Sequence, residues 1–340
     1  MEGMTGDPFD HQVTAVVGVA KNCGKTTTLD FLLARATAAR RVAGVVSVGI
    51  DGEPNDVLIG TPKPPVVVHQ GQLVASTRVA LENSTAGVEY IETLGFSTPL
   101  GEAVVARVLA DGAVVLAGMR HRGDVRRAVD VMLEHGAQRV LIDGAYGRVM
   151  AADPTLADAV VVSTGAVVDT TIDGIVEHTA AVVDRLSLPA IEEPWQRELM
   201  QRAIAGDETL LGGPATAPVS LSSPSALVGL PMSRELWTPE IEAVAICGLV
   251  SNRVVHELLR QKPARVLLVP DGTVVQADPA LVGRLRRVWE VRALHVSPVV
   301  AIAYNPTSVR GPGVRGEALA HAIAARWPKV PVFDPLVGIQ

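Results

Sequence analysis

The chain has 340 residues, 48% of them hydrophobic and 19% charged, with a formal net charge of −6. This composition supplies a large core for one or two domains and excludes an intrinsically disordered chain. Its acidic balance argues against a general nucleic-acid binder, whose affinity rests on neutralising phosphates.

Aromatic residues make up only 3%, so Val, Ala, Leu and Ile must build the core. That mix suits a buried, mainly parallel sheet flanked by helices. The two cysteines, Cys23 and Cys247, form neither a metal-binding spacing nor a disulfide framework, which fits a reducing compartment. The segment MEGMTGDPFDHQ lacks the apolar centre of a signal peptide, and no apolar run approaches the ~20 residues of a membrane span. The expectation is a cytoplasmic protein that does not enter a membrane.

In chain order, TAVVGVAKNCGKTTTLDFLL (14–33) runs from an apolar strand through a turn into a segment with Leu29, Leu32 and Leu33 at helical spacing. VAGVVSVGI (42–50) reads as a buried second strand ending at Asp51-Gly52-Glu53, and a proline-broken stretch with Pro62, Pro64 and Pro65 follows. RVALENSTAGVEYIETL reads as helical, and EAVVARVLADGAVVLAG as a hairpin turning at Asp111-Gly112. A helix over 123–136 leads into the strand RVLIDG, and DAVVVSTGAVV (158–168) supplies another. GGPATAPVSLSSPSALVGLPMS (212–233) is the clearest compositional break, and EAVAICGLV, ARVLLVPDG and SPVVAIAYN read as three later strands. The predicted layout is a nucleotide-binding domain over 1–205 with a β-insertion at about 51–120, a linker or surface loop over 206–239, and a C-terminal α/β domain or sheet extension over 240–340. The basic clusters Arg120, Arg122, Arg126 and Arg127, and Arg284, Arg286 and Arg287, read as solvated helix faces.

The first strand–turn–helix unit carries the chemistry. Gly24-Lys25-Thr26-Thr27 after an apolar strand is the setting of a phosphate-binding loop, in which backbone N–H groups surround phosphates and a helix N-terminus points at them. The expected fold is accordingly P-loop NTPase-like. Lys25 would reach the outer phosphates, Thr26 would hold Mg²⁺, and Gly24 would leave the backbone open to the phosphate. Ala20, Lys21, Asn22, Cys23 and Thr27 would line the remaining loop. The pattern G-x-x-x-x-G-K-[ST] asks for glycine at position 19, which is Val19, with Gly18 one residue earlier. Lys21 lies one position closer to Lys25 than the additional lysine of the deviant Walker loops, so that role is not assigned to it. Cys23 has two readings, a small filler residue or a thiol activated by the helix N-terminus, and filler is preferred.

A carboxylate at the end of a strand is the second element of such a site. Asp143 in RVLIDGAYGR takes the Walker-B position beside Mg²⁺, and Asp51, near Glu53 and Asp56, is its rival as metal ligand. The segment 51–65 has the turn-rich character of a γ-phosphate-sensing switch, with an ordinary acidic loop as the alternative. Asn305 ends a late strand where base-reading residues often sit, and ATP is slightly preferred to GTP as [NT]-K-x-D is absent. No G-x-S-x-G, H-E-x-x-H or paired C-x-x-C occurs.

The ordered segments GVAKNCGKTTTL, SVGIDGEPND, GTPKPPVVVHQGQLVAST, TPLGEAVVARVLADGAVVLAG and LIDGAYGR resemble the smaller subunit (KamB type) of the reactivating system of adenosylcobalamin-dependent lysine 5,6-aminomutase. The similarity covers most of the first 150 residues and more loosely the rest. It implies a larger MutS-like ATPase partner and nucleotide-driven exchange of damaged cobalamin from an aminomutase, with weak NTPase activity in this chain alone. A homodimer stays open, as do a P-loop small-molecule kinase or ligase and a GTPase-type cofactor-assembly protein.

Overall fold

The computed structural model describes residues 9–48, 65–144, 149–261, 265–309 and 311–338. The chain divides into two compact units, Met1–Val182 with Ser297–Gln340, and Val183–Val296.

The larger unit begins with strand β1 (Val13–Gly18), helix α1 (Lys25–Ala38) and strand β2 (Ala43–Val48). A β-rich stretch follows, comprising β3 (Val66–Val68), β4 (Leu73–Thr77), the short helix α2 (Arg78–Glu82), β5 (Gly87–Thr98), β6 (Gly101–Ala110) and β7 (Gly112–Val114). Next come α3 (Arg122–Glu134), β8 (Arg139–Gly144), β9 (Ala159–Gly165) and α4 (Ile172–Leu186), within which the division between the units falls.

The smaller unit contains α5 (Pro194–Gly206), β10 (Thr209–Gly213), β11 (Thr216–Ser220), α6 (Ala226–Met232), β12 (Ala243–Ile246), α7 (Asn252–Arg260), β13 (Val266–Val269), α8 (Pro279–Arg286) and β14 (Glu290–Ala293). Its sheet runs β11-β10-β12-β13-β14, with β12, β13 and β14 parallel. Trp289, Leu230, Val244 and Leu267 are buried together in its core.

The chain then returns to the larger unit as β15 (Val299–Asn305), α9 (Gly316–Arg326) and β16 (Val332–Phe333). The larger unit's nine-stranded sheet runs β16-β15-β9-β1-β8-β2-β4-β6-β5, and every neighbouring pair from β16 to β4 is parallel. Only β6 and β5 are antiparallel additions at the edge. The mixed α/β architecture with a largely parallel sheet and flanking helices is as the composition implies. Among the described residues no helix is long and apolar enough to cross a membrane.

Side chains of a strand alternate between the two faces of the sheet, and this alternation sorts the layers. Ala43 and Val45 of β2, Leu141 of β8 and Val161 of β9 share one buried cluster with Leu29, Leu32 and Leu33 of α1. Gly44 faces the other way, where a Cβ would meet Met132 of α3. Helices α1 and α3 therefore cover opposite faces, each through an apolar stripe at three- and four-residue spacing.

Several predicted elements differ. The helix expected over RVALENSTAGVEYIETL stops at Glu82, and Gly87–Thr98 is strand β5. Its residues pair with β6 through a turn in which Gly101 takes φ 110°, and this non-local pairing outweighs local helical spacing. The hairpin expected at Asp111-Gly112 is replaced by a divergence: β6 pairs with β4 and β5, whereas β7 pairs with β3. Gly112 lacks the positive φ of a type I′ turn, and a Cβ there would lie 2.5 Å from the Ala86 backbone. Asp111 instead accepts a hydrogen bond from the Gln70 N–H at 2.7 Å.

The expected linker over 206–239 is folded, as β10, β11 and α6, with Leu211, Leu221 and Leu230 buried. Its glycines serve close approach, since a Cβ on Gly213 would lie 2.0 Å from the Glu240 carbonyl oxygen. Nor do residues 240–340 stay together: 240–296 belong to the smaller unit and 297–340 extend the main sheet.

Phe333 of β16 is 1% exposed and packs on Phe9 and Phe31, with ring centroids 5.4 and 5.1 Å away. Phe333→Ala should cost about 3–5 kcal/mol in urea unfolding and reduce hydrogen-exchange protection in both α1 and β15. Unchanged protection in α1 would contradict a shared core.

Candidate functional site

The C-terminal ends of the parallel strands converge where the chain order reverses. From β1 the chain runs past β8 to β2, and from β9 it runs to β15 on the opposite side. Ligands of open α/β sheets bind at such reversals. The segment 18–24 after β1 lies here, tied by the Val19 N–H to the Ser163 carbonyl at 2.9 Å.

Backbone geometry shapes this loop. Asn22 and Gly24 take positive φ, 63° and 95°. Gly24 is the N-cap of α1, no side chain among the described residues caps that helix end, and its first turn holds no acidic residue. The first N–H groups of α1 thus combine with the positive end of the helix dipole in an arrangement that can accept an anion. Gly18 is the loop's first steric requirement, since a Cβ there would meet Cys23 Sγ at 2.9 Å and the Ala20 carbonyl oxygen at 3.1 Å. The close approach absent at Val19 is therefore found one residue earlier.

Lys25, Thr26 and Thr27 open α1 and are partly buried. The Lys25 ammonium lies 2.7 Å from Asp143 Oδ1 and donates to the Gly144 carbonyl at 2.5 Å. Asp143 is 3% exposed, and its Oδ2 accepts from Ser47 Oγ at 3.1 Å. The cation and the hydroxyl offset the desolvation of the buried carboxylate.

The same alternation that sorts the layers gathers these groups. Ser47 is two residues beyond Val45, Asp143 two beyond Leu141, Ser163 two beyond Val161, and Asn305 two beyond Ala303. Each therefore takes the α1 face at the end of its own strand. Ser47 and Asp143 are also cross-strand partners.

Asn305 is brought against the loop, its Cβ 3.3 Å from the Cβ position of Gly24. Its carboxamide oxygen accepts from the N–H and hydroxyl of Thr307, at 3.0 and 2.7 Å. Ala20, Lys21 and Asn22 form the outer rim, with Asn22 exposed. Asp51 and the 51–64 part of the expected switch lie outside the described residues. Among the described residues no three His, Cys, Asp or Glu side chains cluster as a metal site. Among the described residues, the Asp143 carboxylate and the hydroxyl of Thr26, next to Lys25 in the first turn of α1, are oxygen donors of the kind taken by Mg²⁺ shared with phosphates.

Cys23 is 1% exposed, and burial pushes its thiol up, outweighing the backbone N–H groups and the Lys25 charge that act in the opposite direction. It is a filler under the loop. Of the basic clusters, Arg126 pairs with Asp130 and Arg127 with Glu92, as expected of a solvated helix face, whereas Arg122 reaches the fully buried carboxylate of Asp153. Sequence reasoning missed Ser47, Thr28 and Ser163. For Ser47 and Ser163 the available signal was a hydroxyl residue near the end of an otherwise apolar strand, in GVVSVG and VVVSTG; Thr28, in α1, carried no such signal.

No protein-family model matches the chain, and no curated protein or solved structure matches it.

Buried thiols with raised pKa react slowly because the thiolate is the nucleophile. Iodoacetamide followed by peptide mass mapping should modify the half-buried Cys247 while labelling Cys23 on the order of tenfold more slowly. Equal labelling would contradict the buried position.

Proposed function

We propose that this chain binds a magnesium–nucleoside triphosphate, with ATP slightly preferred to GTP, in the manner of P-loop NTPases. One observation carries the proposal: the Lys25 ammonium stands beside a buried strand-end carboxylate at the N-terminus of α1. A lysine placed there can transfer from Asp143 to an incoming phosphate, and the helix N–H groups supply further donors. Thr26 and Asp143 would hold Mg²⁺, which when bound neutralises phosphate charge. Ser47 keeps the carboxylate oriented through its hydroxyl.

The resemblance to the reactivase small subunit supports a wider role, in which the chain acts with a larger MutS-like ATPase to renew the cofactor of an adenosylcobalamin-dependent aminomutase. In this reading, turnover by the isolated chain is slow, and the nucleotide state is read by a partner.

Calorimetric titration with Mg·ATP and Mg·GTP tests the binding step. Lys25→Ala should weaken affinity about 10- to 100-fold, the range for losing a charge-assisted contact; unchanged affinity ends the proposal.

Asp143→Asn should reduce magnesium-dependent turnover more than it reduces nucleotide affinity, with Asp51→Asn as the comparison. An effect confined to the Asp51 variant would reassign the metal carboxylate.

The reactivating role is tested with a turnover-inactivated aminomutase supplied with ATP, Mg²⁺, fresh cobalamin, the partner ATPase and this chain. Recovery that is equal without this chain, or with its Lys25→Ala form, removes it from the reaction.

A further inference from the structure

We infer that Ser163 is a positioning residue that clamps both ends of the loop between β1 and α1 and thereby sets nucleotide affinity; this rests on the nucleotide-binding proposal. Ser163 stands at the end of β9, fully buried, and is the cross-strand partner of Gly18. Its carbonyl accepts the Val19 N–H at 2.9 Å, which fixes the loop's entry. Its hydroxyl donates to Thr28 Oγ1 at 3.0 Å, and the Thr28 hydroxyl donates to the Gly24 carbonyl at 3.1 Å, which fixes the exit. The Gly24 carbonyl also receives the Thr28 N–H at 2.9 Å, the first hydrogen bond of α1. One residue of a neighbouring strand thus holds the two points between which the loop must arch.

The chemistry explains why hydroxyls are used. Gly24 sits in a left-handed conformation with φ 95° and ψ 13°, and its carbonyl direction sets that of the following N–H groups. A carbonyl taking two donors from Thr28, with Thr28 itself held by Ser163, has little rotational freedom. Donors held in place before binding lose less entropy on contact with phosphate. The adjacent Thr164 faces away and meets Thr179 at 2.7 Å, whose hydroxyl donates to the Ile175 carbonyl within α4. β9 thus ends in two buried hydroxyl relays on opposite faces, and only the Ser163 relay reaches the loop.

The test compares full-length variants by calorimetry with Mg·ATP, together with their melting temperatures. Thr28→Val keeps the shape and removes the hydroxyl, Thr28→Ser keeps the hydroxyl, and Ser163→Ala removes the donor from the strand. Thr179→Val breaks the relay on the opposite face as a control.

Thr28→Val and Ser163→Ala should each weaken binding about five- to tenfold, the scale of one buried hydrogen bond. The double variant should be no weaker than the worse single one, because both act through one chain. Thr28→Ser should bind as the parent does, and Thr179→Val should lower the melting temperature with affinity unchanged. In the absence of nucleotide, amide exchange at Val19 and Thr28 should quicken in Thr28→Val.

Parental affinity in both Thr28→Val and Ser163→Ala, with only melting temperatures lowered, would overturn the clamp and leave the nucleotide proposal intact. A parent chain that binds neither Mg·ATP nor Mg·GTP would overturn the nucleotide proposal and the clamp's role in affinity together, and unchanged exchange would reject the clamp as a restraint on the loop.

Discussion

A carboxylate buried at the end of a central strand must be held by a cation or strong donors, or it loses its charge. Asp143 is held by both, with Lys25 on one oxygen and Ser47 on the other. That constraint ties three segments far apart in the chain: the start of α1, the end of β2 and the end of β8. It also keeps the lysine at the foot of a helix whose N-terminal N–H groups have no side-chain cap among the described residues. Under the proposed function, the ammonium of this structural ion pair is the one that would meet the phosphate.

The surrounding sheet turns a simple periodicity into a constellation. Because side chains alternate along parallel strands, Ser47, Asp143, Ser163 and Asn305, each two positions past an apolar residue of the α1 face, share that face. Ser47 and Asp143 are direct cross-strand partners, whereas Ser163 stands opposite Gly18 and Ala303, and Asn305 lies two residues further along, opposite Gly165. Gly18 shares the face on β1, and its lack of a side chain leaves room for Cys23. The raised thiol pKa follows from that packing, which makes Cys23 part of the loop's support.

The smaller unit interrupts the larger one between α4 and β15. Its own core is built around Trp289 and aliphatic side chains, while β15 and β16 complete the parallel sheet begun by β1. The insertion between β2 and β8 adds the antiparallel strands β6 and β5 at one edge, extending the sheet without disturbing the strand order around β1.

Much of the central sheet was legible in the chain because it rests on local signals. Uninterrupted Val- and Ala-rich runs mark β1, β2, β8, β9 and β15 as strands buried on both faces, and Leu29, Leu32 and Leu33 mark the stripe of α1. Gly24-Lys25-Thr26 and the strand-terminal Asp143 announced themselves by type and position. What only the tertiary structure decided depends on pairing between distant segments. VEYIET became strand because β6 offered a ladder, Asp111-Gly112 separated two strands rather than joining them, and the Gly- and Pro-rich run at 212–233 became a strand pair and a helix. The same reason hides Ser47 and Ser163, since a hydroxyl in an apolar strand acquires a role only when the fold sets it opposite a carboxylate or a threonine, and Thr28 of α1 joins the relay only because Ser163 reaches it from a distant strand.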